Sequence, residues 1–245
     1  MIEQETINRL LIDEDYYGSF GKQYLSNSDI GSLLNNPKDF RKPQPDNINF
    51  HKGRYFHQLI LEPEKAAETK FVDVSSRVTK AYKETVANSQ QDIIMLEKEG
   101  LEIRNCVDTM MQNLAFFEGI RQEGNQYEVP MIKEIKGLLW KGKADIVCTD
   151  KLIDLKTTSK IADFKYSARK YNYDSQCYIY QILFGKPLVF YVVDKTNGKL
   201  GIFRPTEEFV RRGEAKVNLA VEQYHKFYGE SPTEDIKYYY IDEML

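Results

Sequence analysis

The sequence has no run of about 18 apolar residues, the length a membrane-spanning helix needs. None of its 245 residues therefore reads as a transmembrane segment, and no membrane partner is expected. The first residues, MIEQETINRLLIDEDYYGSF, also lack the basic start and apolar run of a signal peptide. A cytoplasmic location is the expectation. Cysteine is scarce: Cys106, Cys148 and Cys177 are odd in number, widely spaced and form no CxxC or zinc pattern, which suits reduced, partly buried thiols. No GxxxxGK[ST] phosphate loop occurs, so no helicase-type motor is built in. No Ser-His-Asp elbow or glycine-rich cofactor loop marks a small-molecule enzyme either. Overall positive charge is missing too. The net charge of -3 argues against a globally basic nucleic-acid coat, although a local groove depends only on where charges sit.

What is present is an ordinary globular composition, 42% hydrophobic, 29% charged and 13% aromatic, which argues against disorder over most of the length. The length is close to the upper limit for one hydrophobic core. We expect a single domain over residues 1–245, with a helical N-terminal segment over 1–50 and strands, a helix and a tail over 186–245. Charge is uneven: residues 133–170 hold ten Lys/Arg against five Asp/Glu.

LSNSDIGSLLNNP predicts a short helix, with Ser28 to cap it and Pro37 to stop it. KGRYFHQLILEPEKA has helical apolar spacing and places His57 on a helix; TKAYKETVANSQ is a further helix. Residues 97–120 predict one longer helix with Leu101, Val107, Met110, Met111 and Leu114 near one face. From residue 126 the period changes to two. QYEVPMIKEI and LLWKGKADIVCT read as strands around Lys136-Gly137, and KLIDLKT as a third. YDSQCYIYQILFG returns to a helix stopped by Gly185. PLVFYVVD and LGIFRP are strands, and Thr206 caps a long final helix that ends before Gly229. The expected fold class is α/β (α+β), a central mixed, mostly antiparallel sheet flanked by helices.

The chemistry concentrates in GKADIVCTDKLIDLKTTSK. If Asp150-Lys151 is a two-residue loop, Asp145, Asp154 and Lys156 share one strand face, while Ile146, Cys148, Ile153 and Leu155 share the other. Asp145 and Asp154 then become diagonal neighbours about 7 Å apart. A solvated hairpin face, with an Asp145–Lys156 surface pair worth under about 1 kcal/mol, is one reading. A hard divalent ion between the carboxylates, with the lysine acting on water and phosphate, is the other.

Asp145, eight residues, then DLK at 154–156 resembles the core of PD-(D/E)XK nucleases. SQCYIYQ carries Gln176 and Tyr180 at the QxxxY spacing of the RecB-like branch. GRYFHQLILEPEKA resembles that branch's histidine-bearing helix, and LSNSDIGSLLNNPKDFR its N-terminal Ser/Pro/Phe segment. The motifs stand in the family's order, and the likeness extends to RecE-type exodeoxyribonuclease VIII and phage recombination exonucleases.

The resemblance implies a restriction-endonuclease-like αβββαβ core and several roles. Asp145 and Asp154 would ligate Mg²⁺, with Mn²⁺ able to substitute and the Leu155 carbonyl and His57 as further ligands. Lys156 would position the attacking water and stabilise the transition state. Gln176 and Tyr180 would hold the lysine or touch the DNA backbone. Thr157 and Thr158 would bind phosphate or cap the next helix, and Glu128 would be an accessory acid or a surface charge. The cysteines that hold an iron-sulfur cluster in some relatives have no counterpart, so no cluster is expected.

The implied activity is a Mg²⁺-dependent deoxyribonuclease, foremost a 5′→3′ exonuclease on linear duplex DNA in recombination or repair. An endonuclease, a single-strand-specific nuclease, or an inactive nucleic-acid-binding protein on the same fold are the alternatives. DNA ends, a single-strand annealing protein and a homo-oligomeric ring are the implied partners, in a bacterial or phage-infected cytoplasm.

Overall fold

Short helices open the chain, each set by a local cap. In the computed structural model, which describes residues 4–89 and 91–242, α1 (Gln4–Arg9) and α2 (Asp13–Tyr17) precede α3 (Asn27–Asn35). Ser26, not Ser28, begins α3, because its N–H and hydroxyl both donate to Asp29, at 2.8 and 3.0 Å. Helix α4 (Ile48–Leu61) starts where the Asn47 side chain accepts the Asn49 N–H at 2.8 Å, and α5 (Pro63–Ala67) begins on proline. A two-residue parallel pair, β1 (Phe71–Val72) and β2 (Met95–Leu96), brackets α6 (Lys80–Ala87).

The single helix expected over 97–120 is two, α7 (Glu97–Gln112) and α8 (Leu114–Arg121). Asn113 leaves helical geometry (ψ 119°) and caps α8 through the Phe116 N–H. The buried stripe of α7 is Ile103, Cys106 and Met110, whereas Leu101 and Leu114 are exposed.

The sheet follows. β3 (Gln126–Ile135) and β4 (Leu138–Val147) pair across Lys136 (φ 54°) and Gly137 (φ 79°), the double positive φ that matches a tight antiparallel turn to strand twist. β5 (Leu152–Thr158), α9 (Phe164–Lys170) and α10 (Tyr173–Phe184) come next. Gly185 ends α10 at φ 70°. β6 (Leu188–Asp194), β7 (Leu200–Phe203) and α11 (Glu207–Phe227), capped by Thr206, complete the core.

The strand order is β3-β4-β5-β6-β7, antiparallel except for β5 with β6. With α8 before β3 and α10 between β5 and β6, this is an αβββαβ core. Every residue of β6 is buried, as expected of a central strand covered on both faces. One core packs Leu152, Phe190 and Val192 under α3, α9, α10 and α11; the other packs Ile153, Leu155 and Val193 under α4, α7 and α8. The final segment, 234–245, is described as far as Asp242 and contains a 3-10 turn at Ile236–Tyr238; its last three residues lie outside the described part. Among the described residues no helix is long and apolar enough to cross a membrane.

Candidate active site

The β4–β5 hairpin sets the site, with a turn one residue earlier than expected. The Cys148 N–H donates to the Lys151 carbonyl at 2.9 Å, and Val147 pairs with Leu152 and Ile146 with Ile153. The loop is therefore Thr149-Asp150, not Asp150-Lys151. The register changes by two positions, so Ile146, Cys148, Ile153 and Leu155 still share one face, as expected, but Asp145 leaves the face of Asp154 and Lys156.

The ladder then stops. Where the next backbone bond would form, the Leu155 N–H donates instead to the Asp145 carboxylate at 2.7 Å. Opposite Asp145, Glu128 adopts φ 51° and the pair drops out of the β3–β4 register. Ala144 packs in one core and Ile146 in the other although they are two residues apart, so the pleat reverses between them. This break turns Asp145 and Glu128 into the gap between the helical layers.

Helix α4 brings His57 to the same gap. Its Nδ1 faces Asp145 Oδ1 at 3.4 Å, and its Nε2 donates to the Leu155 carbonyl at 2.9 Å. Burial opposes charge on this imidazole, but Asp145 outweighs it and lifts the pKa to about 9. Burial, reinforced by Asp145, pushes Glu128 up to about 7. Ligand atoms of His57, Glu128 and Asp145 lie within 4.8 Å of one another.

Asp154 and Lys156 stand beside this trio on the α10 side. Asp154 is only 3% exposed, which corrects the picture of a hairpin face open to solvent. Its Oδ1 accepts from Gln176 Nε2 at 2.6 Å. Its Oδ2 contacts the Lys156 ammonium but lacks an aligned hydrogen-bond donor. Burial and the nearby Asp145 raise the Asp154 carboxyl against the pull of Lys156. Burial works against the Lys156 charge, yet Asp154 wins and holds the ammonium protonated. The ammonium also lies 5.0 Å from the centre of the Tyr173 ring.

The remaining expected residues have definite places. Gln176 holds Asp154 rather than the lysine, and the Tyr180 hydroxyl donates to the Lys143 carbonyl at 3.0 Å, bracing β4 two residues before Asp145. The Leu155 carbonyl is turned toward His57. Thr157 and Thr158 pair with Val193 and Asp194 along β5–β6, and the Thr158 hydroxyl accepts the Lys160 N–H at 3.4 Å, as a cap would. The basic stretch does not form one surface. Lys143 pairs with Asp13 at 2.7 Å, Lys136 with Glu214 at 3.2 Å and Lys160 with Asp163 at 2.7 Å.

A cleft of about 760 Å³ opens onto His57, Glu128, Asp145 and Tyr180, with Arg54 and Lys143 on its walls. Arg54, Lys143 and Tyr17 carried no signal in sequence, because α2, α4 and β4 meet there only through tertiary packing. Lys141 lines the same cleft but is buried, donates to the Tyr16 carbonyl and sits over the Tyr16 ring. Burial lowers its pKa from 10.5 to about 8.

Below pH 8 both folded and unfolded chains protonate Lys141, so the full cost of burying its charge is present. Between pH 8 and 10.5 that cost fades. Lys141→Met should therefore stabilise the protein by about 1–2 kcal/mol at neutral pH and lose that gain above pH 10.5, measured by urea unfolding across the range. A constant difference at all pH values would remove charge burial as the cause.

A divalent cation suits these groups. Two carboxylates and an imidazole converge, and a neighbouring buried carboxylate has an oxygen without an aligned donor, a donor set of the kind that divalent cations take. Glu128 thereby moves from an accessory position to the centre of the candidate metal set.

No curated protein matches the chain. The fold is similar to that of a protein from Eubacterium rectale solved under the name "Putative exonuclease", with a TM-score of 0.61 and 16% identity over 86% of this chain and 87% of that one. A structure named SSO0001 aligns over 88% of this chain and 85% of its own at 13% identity, but its TM-score of 0.37 is too low to bear on the fold. The family described as "PDDEXK-like domain of unknown function (DUF3799)" matches residues 34–232, and the chain belongs to that family.

Proposed function

We propose that the protein is a divalent-metal-dependent deoxyribonuclease, acting as a 5′→3′ exonuclease on linear duplex DNA in recombination or repair. The observation that carries the hydrolytic reading is the convergence of Asp145, Glu128 and His57 within 4.8 Å, next to the buried Asp154–Lys156 pair. The choice of end and polarity draws on the RecE-type resemblance of the motifs. The name of the Eubacterium rectale neighbour agrees with an exonuclease.

Asp145, Glu128 and His57 would hold the cation, and Asp154, engaged by Gln176 and Lys156, would join them only by turning away from that pair. When bound, the cation supplies positive charge to the phosphate and acidifies water. Lys156 stays charged beside Asp154, so it is no general base in this state. Its part is to orient the attacking water and offset negative charge growing on phosphate. Gln176 fixes the Asp154 carboxylate, and Tyr180 keeps β4 in place.

The test is digestion of linear duplex DNA labelled at one 5′ end, beside closed circular and single-stranded DNA, with Mg²⁺ or with EDTA. Early release of labelled mononucleotides from the linear duplex, only with Mg²⁺, is the expected result. Cutting of the circle would replace the exonuclease by an endonuclease. No cleavage of any substrate would leave a binding protein.

A further inference from the structure

We propose that α9 and the first turn of α10 form a docking ledge for single-stranded DNA next to the site; the inference rests on the nuclease reading above. Helix α9 buries Phe164 and Ala168 and turns Lys165, Tyr166, Arg169 and Lys170 outward, with Tyr171 following. Tyr166 and Tyr171 are 59% and 58% exposed. Each has a lysine at its ring, Lys165 at 5.0 Å and Lys170 at 5.7 Å. Among the described residues, Lys165, Arg169 and Lys170 enter no ion pair, unlike Lys136, Lys143, Lys151, Lys156 and Lys160 of the same stretch.

The ledge is continuous with the site. The Tyr171 ring lies 6.2 Å from that of Tyr173, which is stacked on Phe190 at 5.3 Å and carries the Lys156 ammonium 5.0 Å from its centre. On the other side, Asn27, a residue of the cleft wall, donates to the Asn172 carbonyl between the two tyrosines at 3.2 Å. A line of rings and cations therefore runs from the catalytic lysine to the outer end of α9.

Ring faces and free cations in alternation match one ligand chemistry. Unpaired bases stack on aromatic faces while lysine and arginine meet the phosphates; a duplex hides its base faces within the stack. The occupant is thus a single strand, on the side of the site where the helix pair begins.

The test measures fluorescence anisotropy of labelled oligothymidylate and of a blunt duplex, in EDTA so that nothing is cut, with cleavage in Mg²⁺ assayed in parallel. Tyr171→Leu should weaken single-strand binding about tenfold and leave duplex binding unchanged, while Tyr171→Phe retains affinity within about twofold. Lys165→Glu/Arg169→Glu/Lys170→Glu should flatten the dependence of log affinity on log salt by about 2, at about 0.7 for each phosphate no longer neutralised. Circular dichroism and the thermal midpoint confirm folding, which surface changes on α9 should not alter. If Tyr171→Leu binds the single strand as wild type does while wild type still cuts DNA, the ledge is refuted and the nuclease stands. If wild type cuts nothing and binds no single strand, both fall.

Discussion

Asp154→Asn should reduce cleavage by on the order of a thousandfold and destabilise the fold by about 1 kcal/mol, whereas Lys156→Ala should abolish cleavage and destabilise the fold by about 3 kcal/mol. The asymmetry follows from burial. Asp154 is 3% exposed and its carboxyl is raised by desolvation, so its own charge is costly, whereas Lys156 is the more exposed partner and keeps Asp145 as a second counter-charge when Asp154 is neutralised. Asparagine keeps the shape and can still accept from Gln176. Removing Lys156 leaves a buried carboxylate facing no cation. Because a raised carboxyl protonates readily, the Lys156→Ala deficit should shrink as the pH falls. The double variant Asp154→Asn/Lys156→Ala should recover most of the lost stability. Urea unfolding of the three variants, beside the DNA digestion, checks this. Near-normal cleavage by Asp154→Asn would end the assignment of the hairpin as catalytic. Wild-type stability of Lys156→Ala would show that the pair is not desolvated. The sequence alone suggested that both changes would spare folding, on the assumption that the polar hairpin face meets solvent; α10 covers it.

Gly213→Ala should cost about 2–3 kcal/mol in urea unfolding and lower activity with it. Gly213 lies where α11 crosses α10, and a methyl there would overlap the Asp174 backbone carbonyl. Backbone cannot rotate aside as a side chain can, so the helices must separate, at a cost at the upper end of overpacking. The roughly 1 kcal/mol that alanine gains over glycine in a helix offsets only part of it. Asp174 is fully buried, is held by Lys216 at 2.8 Å and lies two residues before Gln176, so separation displaces the group that fixes Asp154. Gly53→Ala is the control: it is also helical, but an added methyl meets nothing within 4 Å, so stability should stay level or rise. Equal stability of Gly213→Ala and wild type would mean that the two helices are not in close contact.

The strands were legible because period-two alternation and the Lys136-Gly137 turn are local signals. β3, β4 and β5 fall on the segments read for them. The hairpin loop slipped by one residue because neither Thr149-Asp150 nor Asp150-Lys151 is a strong turn pair, and only pairing with β6 fixes β5 in place. Helix α9 was missed: seven residues with two buried positions carry too little periodicity to register. His57 and Gln176 were found through family likeness, since nothing local connects positions 98 and 22 residues from their partners in the hairpin. Glu128 remained a side possibility because its place depends on a left-handed backbone conformation that a glutamate does not advertise.

The early end of the β4–β5 ladder has a mechanical consequence. Two residue pairs join the β3–β4 half of the sheet to the β5–β6–β7 half, whereas β5 and β6 share seven. Glu128 and Asp145 ride on one side of that seam, Asp154 and Lys156 on the other. The spacing between the two carboxylate groups is thus governed by how far one half-sheet tilts against the other, a soft coordinate, rather than by stiff strand geometry. Asp145, gripping the Leu155 amide across the seam, acts as its latch. The latch uses Oδ2 and leaves Oδ1 facing His57, so a cation held on Oδ1 alone would keep the seam closed, whereas one that draws in Oδ2 would couple loading of the site to its width.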